Sequence, residues 1–488
     1  MERILLIAAL VVALLAACGA ETTTPISLEP AQVALSTEPV PPKPTATGFP
    51  ATKAPEPTVT SVVSESTGAA LHQVPADYAT IQAAIDSARD GDEIVVSPGT
   101  YVENIDFAGK AITVRSTDPD DPEVVASTII DGGGQGSVVI FRNGETVRAV
   151  LTGFWITNGG GTEYLQSQSQ EKQTCRGAVF ASPEASTFCG GGIVVDGAWP
   201  TITGNVITGN RVSHGGGGIF VASSAFPIIR DNAITGNEAG AGGGIYVYGD
   251  AWPTIEDNLI QDNRAAEQGG GILVALRSAP RIQGNTISGN VCDSGCGIMV
   301  FNYGSAEIRE NTIVDNSARQ GGGAVFVGAS SAVTMEANDI SGNEGALGGG
   351  IFCELASDLK ILGNRVGDNV AGFSGGGIDS GGCRLEVRGN EFTGNRAAEF
   401  GGAIHDVGNL SMIIEDNAIV GNEARQGGGL RQVGEAESTV RRNEFRDNVA
   451  EDGGAIWVSA ESVLGIGDPD DNVYEGNRPD DIYWENMP

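Results

Sequence analysis

The stretch NAITGNEAGAGGGIYV, residues 232–247, contains two asparagines five positions apart, a glycine run and a short apolar segment. Taken alone, its G-x-G-x-G core could be a loop that binds phosphate through backbone N–H groups. A phosphate-binding loop, however, occurs once, between a strand and a helix. This stretch recurs along the chain with no helix after it, so we interpret it as a requirement of the fold.

The recurring pattern is N-x-(I/V/F)-x-x-N, followed by a polar or alanine-rich bend and then by Gly-Gly-Gly-Ile or a close variant. Ten copies begin 26 or 27 residues apart, a period typical of a solenoid. They begin at Asn205, Asn232, Asn258, Asn285, Asn311, Asn338, Asn364, Asn390, Asn417 and Asn443, and a degenerate copy begins at Asn472. The isoleucine position is occupied by Ile193, Ile219, Ile245, Ile272, Ile298, Ala324, Ile351, Ile378, Ile404, Leu430 and Ile456.

Each repeat holds three short runs with alternating side chains, for example PTIEDN, NLIQDN and GIYVYG. Such runs are too short for a β-sandwich, and the repeat is too short for the four strands of a propeller blade. No run shows the apolar stripe of a helix. The sequence therefore predicts an all-β protein, a single-stranded right-handed parallel β-helix with three short strands per coil and roughly 14–16 coils stacked about 4.8 Å apart.

The asparagines and glycines have structural roles in such a stack. An Asn tolerates the left-handed bend that ends a short strand, and its amide can bond to the Asn of the coils above and below. A glycine fits a tight corner where a Cβ would collide with its neighbours. We therefore predict ladders of asparagine and corners of glycine rather than a ligand site.

Residues 76–88, ADYATIQAAIDSA, are predicted to form a short amphipathic helix. Ile81, Ala84, Ile85 and Ala88 share one face of it. We expect this helix to cap the open N-terminal end of the stack, where an uncovered strand edge would invite pairing with other chains.

The first 18 residues are typical of a lipoprotein signal peptide. A charged start, MER, precedes an apolar run at residues 4–17, which suits a signal peptide and is short for a membrane span. The run leads into Leu-Ala-Ala-Cys, which resembles a lipobox with Cys18 as the lipidated residue; an ordinary signal peptide with a chance cysteine is the alternative. We therefore expect an exported, extracytoplasmic protein at the cell surface, held to the membrane by lipid on Cys18 alone.

The rest of the chain divides into a linker and one domain. Residues 19–73 are rich in Pro, Thr and Ser and cannot bury a core, so they are predicted to be a disordered linker. Residues 74–488 are predicted to form the β-helix domain, with an insertion at 159–189. The formal net charge of −34 is spread along the chain, which argues against nucleic acid and anionic polysaccharide as partners.

Six cysteines besides Cys18 form an even set, which in an exported chain predicts disulfides. A zinc site is disfavoured because the three histidines do not lie at ligand spacing. The disulfide candidates are Cys175 and Cys189, which flank one loop, Cys353 and Cys383, in successive repeats, and Cys292 and Cys296, which share one turn.

Two groups of motifs carry a family resemblance. The stretch DYATIQAAIDSARDGDEIVVSPGTYVENI, residues 77–105, resembles the N-terminal signature of the pectin-lyase-like right-handed β-helix superfamily. The pairs FTGN (392–395) with GGAI (401–404), and FRDN (445–448) with GGAI (453–456), are similar to the FxxN and GGA(I/L/V) repeats of chlamydial polymorphic membrane proteins. Together the resemblances imply the β-helix fold over nearly all of residues 76–488. They imply no single activity, because this fold hosts lyases, hydrolases, esterases and adhesins.

The residue after the isoleucine position is expected to point outward from the β-helix. From Val194 to Phe352 this column is apolar or aromatic, which predicts an exposed stripe that binds sugar rings or a protein. Two alternatives stay open: the 159–189 insertion covers the stripe and makes it core, or the strand phase differs by one residue. The candidate ligand-binding residues are Phe220, Tyr246, Tyr248, Met299, Phe301 and Phe352.

The same column continues with Asp379, His405 and Arg431, about 4.8 Å apart if the coils are in register. A carboxylate beside a histidine and an arginine could do acid–base chemistry or position a substrate, which makes these three the candidate catalytic residues. Solvated surface side chains are the alternative. The same strands would turn three polar residues inward, which indicates a bulge or a phase slip: Ser380, Asp406 and Gln432.

Two Asp-rich loops, STDPDDP (116–122) and GDPDDN (467–472), could hold calcium, the second through Asp468, Asp470 and Asp471. Neither has the spacing of a dedicated calcium loop. Solvated turns are the alternative, so no metal and no cofactor is expected.

A further aromatic group lies in the two AWPTI segments. Trp199 and Trp252 occupy a bend in their repeats, and Phe226 lies between them. We interpret the three rings as a stack that supports a turn.

The sequence predicts a non-catalytic surface module for binding or adhesion, with a polysaccharide or a surface protein as its partner. A pectate-lyase-like polysaccharide lyase or glycoside hydrolase, acting on the outer face near Asp379, is one alternative, and a structural surface spacer is another. The enzyme would need convergent carboxylates and a basic residue in a groove. The binding module needs only exposed aromatic side chains.

Overall fold

The computed structural model describes residues 69–164, 187–434, 438–460, 462, 464–466 and 471–485. The chain divides into two units, Met1–Ser66 and Thr67–Pro488, and every described residue lies in the second. The predictions for the signal peptide, for lipid on Cys18, for most of the linker and for most of the insertion fall outside the described residues.

The described residues form a stack of parallel coils. In one coil, Thr254–Glu256 belongs to sheet 1, Leu259–Gln261 to sheet 2, Arg264–Gln268 to sheet 3 and Ile272–Ala275 to sheet 4. Sheets 2 and 4 contain 14 strands each, so the stack has about 14 turns. The all-β, right-handed parallel β-helix is confirmed, but the middle coils carry a fourth strand where three were predicted.

Sheet 1 has 15 strands: Leu71–Val74, Glu93–Val96, Thr113–Ser116, Val150–Thr152, Thr201–Thr203, Ile228–Arg230, Thr254–Glu256, Arg281–Gln283, Ser305–Arg309, Ala332–Glu336, Asp358–Leu362, Arg384–Arg388, Ser411–Glu415, Ser438–Arg441 and Leu464–Ile466. Sheet 2 contains Gly99–Val102, Thr128–Asp131, Trp155–Thr157, Val206–Thr208, Ala233–Thr235, Leu259–Gln261, Thr286–Ser288, Thr312–Val314, Asp339–Ser341, Arg365–Gly367, Glu391–Thr393, Ala418–Val420, Glu444–Arg446 and Val473–Glu475.

Sheet 3 has seven strands: Glu238–Ala241, Arg264–Gln268, Val291–Ser294, Ser317–Gly321, Glu344–Leu347, Val370–Ser374 and Arg396–Ala397. Sheet 4 contains Ile105–Asp106, Val139–Phe141, Ile193–Asp196, Ile219–Ala222, Ile245–Val247, Ile272–Ala275, Ile298–Phe301, Val325–Val327, Ile351–Glu354, Ile378–Gly381, Ile404–Val407, Leu430–Val433, Ile456–Val458 and Ile482–Trp484. The ends of the insertion pair as a separate antiparallel ribbon, formed by Thr162–Tyr164 and Thr187–Cys189.

Two ladders of buried asparagine run along the stack, one from each Asn of the repeated pattern. Asn290 is fully buried. Its Nδ2 donates to Oδ1 of Asn316 at 2.9 Å and to the carbonyl of Ile260 at 3.0 Å, and its Oδ1 accepts from Nδ2 of Asn263 at 3.1 Å. Each rung thereby satisfies polar groups that the corner would otherwise bury without partners, which confirms the predicted ladder.

The glycine corners bring neighbouring coils into close contact. A Cβ built on Gly243 would lie 2.6 Å from the carbonyl oxygen of Gly270 and 2.7 Å from that of Arg264. No real side chain tolerates such distances, so the corner excludes every residue with a Cβ unless the backbone shifts. The glycines therefore have the structural role that the sequence predicted: they allow neighbouring coils to approach closely at the corner.

The predicted N-terminal helix is present as Ile81–Ser87, with Thr80 as its N-cap. Ile81, Ala84 and Ile85 are buried in the main core inside the coils, and the helix contacts the first strands of sheets 1 and 4. That it caps the end of the stack stays a prediction. A second helix covers Pro122–Ser127.

Disulfides join Cys292 to Cys296 and Cys353 to Cys383, as proposed from the sequence. Cys189 is also disulfide-bonded, whereas its proposed partner Cys175 lies outside the described residues.

Candidate functional site

The outward side chains of sheet 4 pack in a second apolar cluster, which we call the outer core. The predicted exposed stripe is therefore wrong: Phe220, Tyr246, Tyr248 and Met299 are buried, and Phe301 and Phe352 are half-buried. The buried members of the outer core are Cys189, Phe220, Ala222, Ala241, Tyr246, Tyr248, Leu273, Ala275, Met299 and Phe326.

The strand phase at Tyr246 is the predicted one, because Ile245 and Val247 lie in the main core and Tyr246 between them lies in the outer core. Its burial depends on the corner of the neighbouring coil. A Cβ built on Gly215 would lie 2.5 Å from Cδ1 of Tyr246, so this glycine leaves the space that the ring fills. Burial is the main cause that raises the pKa of the Tyr246 hydroxyl well above its usual value, and the electrostatic effect of Tyr248 adds to it. An enclosed side chain of this kind cannot contact a ligand.

One coil departs from the predicted column. Val325 pairs with Ile298 of the neighbouring strand, so Val325 points into the main core and Phe326 points outward. The glycine corner of this coil ends one residue later, with Ala324 in a corner position. A phase difference is thus confirmed at this coil, whereas residues 165–186, which would carry the covering insertion, lie outside the described residues.

Asp379, His405 and Arg431 lie in register on three successive strands of sheet 4, as predicted. Nδ1 of His405 lies 3.3 Å from Oδ1 of Asp379, and Nη1 of Arg431 lies 2.9 Å from Nε2 of His405. Since a guanidinium can only donate, Nε2 is the acceptor and the ring carries its proton on Nδ1, which donates to Asp379. The histidine therefore has no free nitrogen to act as a general base.

These three side chains are not solvated surface groups. Asp379 is 5% and His405 4% exposed, and Arg431 is half-buried between two rings, with its Cζ 4.0 Å from the centroid of Phe400 and 4.4 Å from that of Trp457. Burial, the largest cause, lowers the pKa of Arg431 to about 10. The predicted column is real, but it is a packed ion-pair and aromatic cluster rather than an open site.

Three residues that complete this cluster were missed by the sequence analysis. Ser374 donates to Oδ2 of Asp379, Gln426 accepts from Nε of Arg431 at 3.2 Å, and the Phe400 ring packs 5.6 Å from that of His405. Each precedes its partner by five residues, on the other side of the glycine corner. This fixed spacing is visible in the repeat and could have identified all three.

The polar residues predicted to point inward do so without a bulge. Ser380, Asp406 and Gln432 are in register and fully buried, so the predicted bulge or phase slip is wrong. Asn409 bonds to two of them: its Oδ1 accepts from Ser380 at 2.9 Å, and its N–H donates to Oδ1 of Asp406 at 3.3 Å. Gln432 donates through Nε2 to Oγ of Ser438. Burial raises the pKa of Asp406 to about 7, the bond from Asn409 opposes this shift, and the nearby charge of Asp379 adds to it.

The predicted aromatic stack is present at the corner before sheet 1. The ring centroids of Trp199 and Phe226 lie 6.2 Å apart, and those of Phe226 and Trp252 lie 5.1 Å apart. Trp199 is 38% exposed and Trp252 50% exposed, while Phe226 between them is half-buried. The stack therefore supports the turn and also faces solvent.

Comparison with known families agrees with this architecture. Residues 243–396 match the family described as a right-handed β-helix region, residues 66–275 match a family described as a protein of unknown function (DUF1565), and residues 391–406 match the Chlamydia polymorphic membrane protein repeat. The chain is a right-handed β-helix protein with polymorphic-membrane-protein-like repeats. The β-helix and repeat matches together indicate a surface protein. No curated protein and no solved structure matches this chain.

No metal centre emerges in the part of this β-helix protein that the structure describes, where no three His, Cys, Asp or Glu side chains are grouped to hold an ion. Of the calcium candidates, Asp471 is exposed, and Asp468 and Asp470 lie outside the described residues. Calcium binding at this loop stays the untested alternative to the solvated turn that the sequence predicts. Among the described helices none has the length and apolar character to cross a membrane.

Proposed function

We propose that this β-helix protein is a non-catalytic binding module at the cell surface, exported and anchored to the membrane by lipid on Cys18. Its rigid outer surface, rather than a reaction centre, carries the function. The main support is the state of His405, whose Nδ1 is engaged by Asp379 and whose Nε2 is engaged by Arg431. A glycan lyase or hydrolase needs an acid or base that reaches its substrate, and this buried set offers none.

We expect no cleavage when the full chain is incubated with pectin, alginate or neutral glycans. In the only predicted catalytic column, Arg431 occupies Nε2 of His405, the nitrogen that would otherwise be free to act as a base. Reducing ends and unsaturated products are measured over time. An Asp379→Ala variant and a His405→Ala variant serve as matched controls and should give the same flat traces as the native protein. Product from the native chain that disappears in either variant would contradict a non-catalytic role.

We expect Cys18→Ala to release the protein from the membrane, because a single thioether-linked lipid group is the proposed anchor. The full chain and the variant are expressed in a bacterium supplied with labelled palmitate, and membrane and soluble fractions are compared. Label and membrane association should both be lost in the variant. Equal membrane association in the two proteins would rule out the lipid anchor.

A further inference from the structure

Trp199, Phe226 and Trp252 form a column of rings along the outside of the coils. The three residues are equivalent in register, since each lies two positions before strand residues that pair across sheet 1. Their centroid distances of 6.2 and 5.1 Å are close to the spacing of neighbouring strands. One ring is therefore presented per coil, in a column that runs along the stack.

The backbone that carries these rings is held rigidly. The N–H of Phe226 donates to the carbonyl of Ala198 at 3.2 Å, and the N–H of Trp252 donates to that of Ala225 at 2.9 Å. Each ring is followed by a buried proline, which fixes φ at the corner. A ligand that packs on these rings thus loses little affinity to ordering of the protein.

A shallow depression lies at each end of the ring column. Arg148 and Ala279 occupy in their coils the position that Trp199 and Trp252 occupy in theirs, and each lines one depression, of about 480 and 300 Å³. Both depressions offer hydrogen-bonding side chains beside the rings. The polar residues are Asp90, Thr146 and Arg148 at one end and Arg281, Ser305 and Glu307 at the other.

We infer that this face, from Arg148 through the three rings to Ser305, binds a single chain of a neutral polysaccharide that runs along the stack of coils. The inference rests on the proposed binding function and names its ligand class and site. Sugar rings present C–H groups that pack on exposed aromatic faces, and their hydroxyls bond to polar side chains at either end. A net charge of −34 disfavours a polyanion.

The tilt of the rings selects the form of the ligand. The planes of Trp199 and Phe226 are inclined by 38°, and those of Phe226 and Trp252 by 64°. Rings inclined in this way cannot lie flat together on a crystalline surface, but they can follow a soluble chain that twists from one sugar to the next. We therefore expect hydroxyethyl cellulose or glucomannan to bind and crystalline cellulose to bind far less.

The test is affinity electrophoresis of the full chain, in mild detergent, through gels that contain hydroxyethyl cellulose, glucomannan or alginate. Trp199→Ala and Trp252→Ala are each expected to weaken retardation by a neutral polysaccharide about tenfold, and Trp252→Phe should restore part of it. Phe373→Ala, which removes a 48% exposed ring on sheet 3, is the matched control and should behave as the native protein. Equal thermal unfolding of all variants shows that the fold is retained.

Three results would overturn the inference, and a fourth would contradict the proposed function on which it rests. Retardation by a neutral polysaccharide that persists in the Trp199→Ala/Trp252→Ala variant would place binding elsewhere and leave the binding-module proposal intact. Retardation by no polysaccharide, or self-association that the double variant abolishes, would make this face something other than a glycan site. Cleavage of the glycan in solution would instead contradict the proposed non-catalytic function.

Discussion

Replacing Asn290 with aspartate is expected to lower the free energy of unfolding of the central coils by about 3–5 kcal/mol. The fully buried Nδ2 of Asn290 donates to Asn316 and to the carbonyl of Ile260, and an aspartate oxygen cannot donate to either. The substitution would place three oxygen acceptors against one another and bury a charge without a partner. Thermal unfolding followed by circular dichroism, with hydrogen exchange of peptides from residues 258–343, measures the effect.

The matched control is Thr286→Asp, which adds the same charge to an exposed position of the same coil. A surface change of this kind is expected to alter stability by less than about 0.5 kcal/mol. Because coils contact only their neighbours, exchange in the Asn290→Asp variant should rise most in the coils on either side of position 290. Equal stability of the two variants would show that the asparagine ladder is dispensable.

Asp406→Asn is expected to abolish a loss of stability that the native protein suffers as pH rises from about 4 to 7. Asp406 has a pKa of about 7 in the fold, against a usual value of 3.8. Below the lower value the carboxyl is protonated in both states. Between the two values the unfolded chain ionises while the fold keeps the proton, so the native state is progressively disfavoured, by a total on the order of 4 kcal/mol above pH 7.

Inside the coils, Asp406 lies beside Asn409, which donates to its Oδ1, and beside Ser380 and Gln432 on the adjacent strands. From the outward side of sheet 4, the charge of Asp379 also raises the pKa of Asp406. The amide of the variant cannot ionise, so its melting temperature should exceed that of the native protein at pH 8 and match it near pH 4. Asp480→Asn, at an exposed position, is the control and should follow the native curve. Parallel curves for native protein and Asp406→Asn across this range would contradict a buried, neutral Asp406.

The sequence correctly identified the Cys292–Cys296 and Cys353–Cys383 disulfides and the Asp379–His405–Arg431 column. The column follows directly from the register of the repeat. With a repeat of 26 or 27 residues, residues at equal positions in successive copies must lie side by side. The environment of the column was not predictable in the same way. Ser374, Phe400 and Gln426 reach it across the glycine corner. Two-residue alternation along a strand carries no information about such contacts, and only the five-residue spacing across the corner does.

By itself, the sequence determined the β-helix, its asparagine ladders, its glycine corners and, except in the coil of Val325, which side of the sheet 4 strands faces the main core. All of these follow from periodicity and from the chemistry of Asn and Gly. The tertiary structure alone decided which outward side chains meet solvent. Tyr246 points away from the main core and is still buried, because Gly215 of the neighbouring coil leaves room for its ring, whereas Trp199 and Trp252 point outward and stay exposed. Exposure depends on what packs against a side chain from another part of the chain, and strand alternation fixes only the direction in which that side chain points.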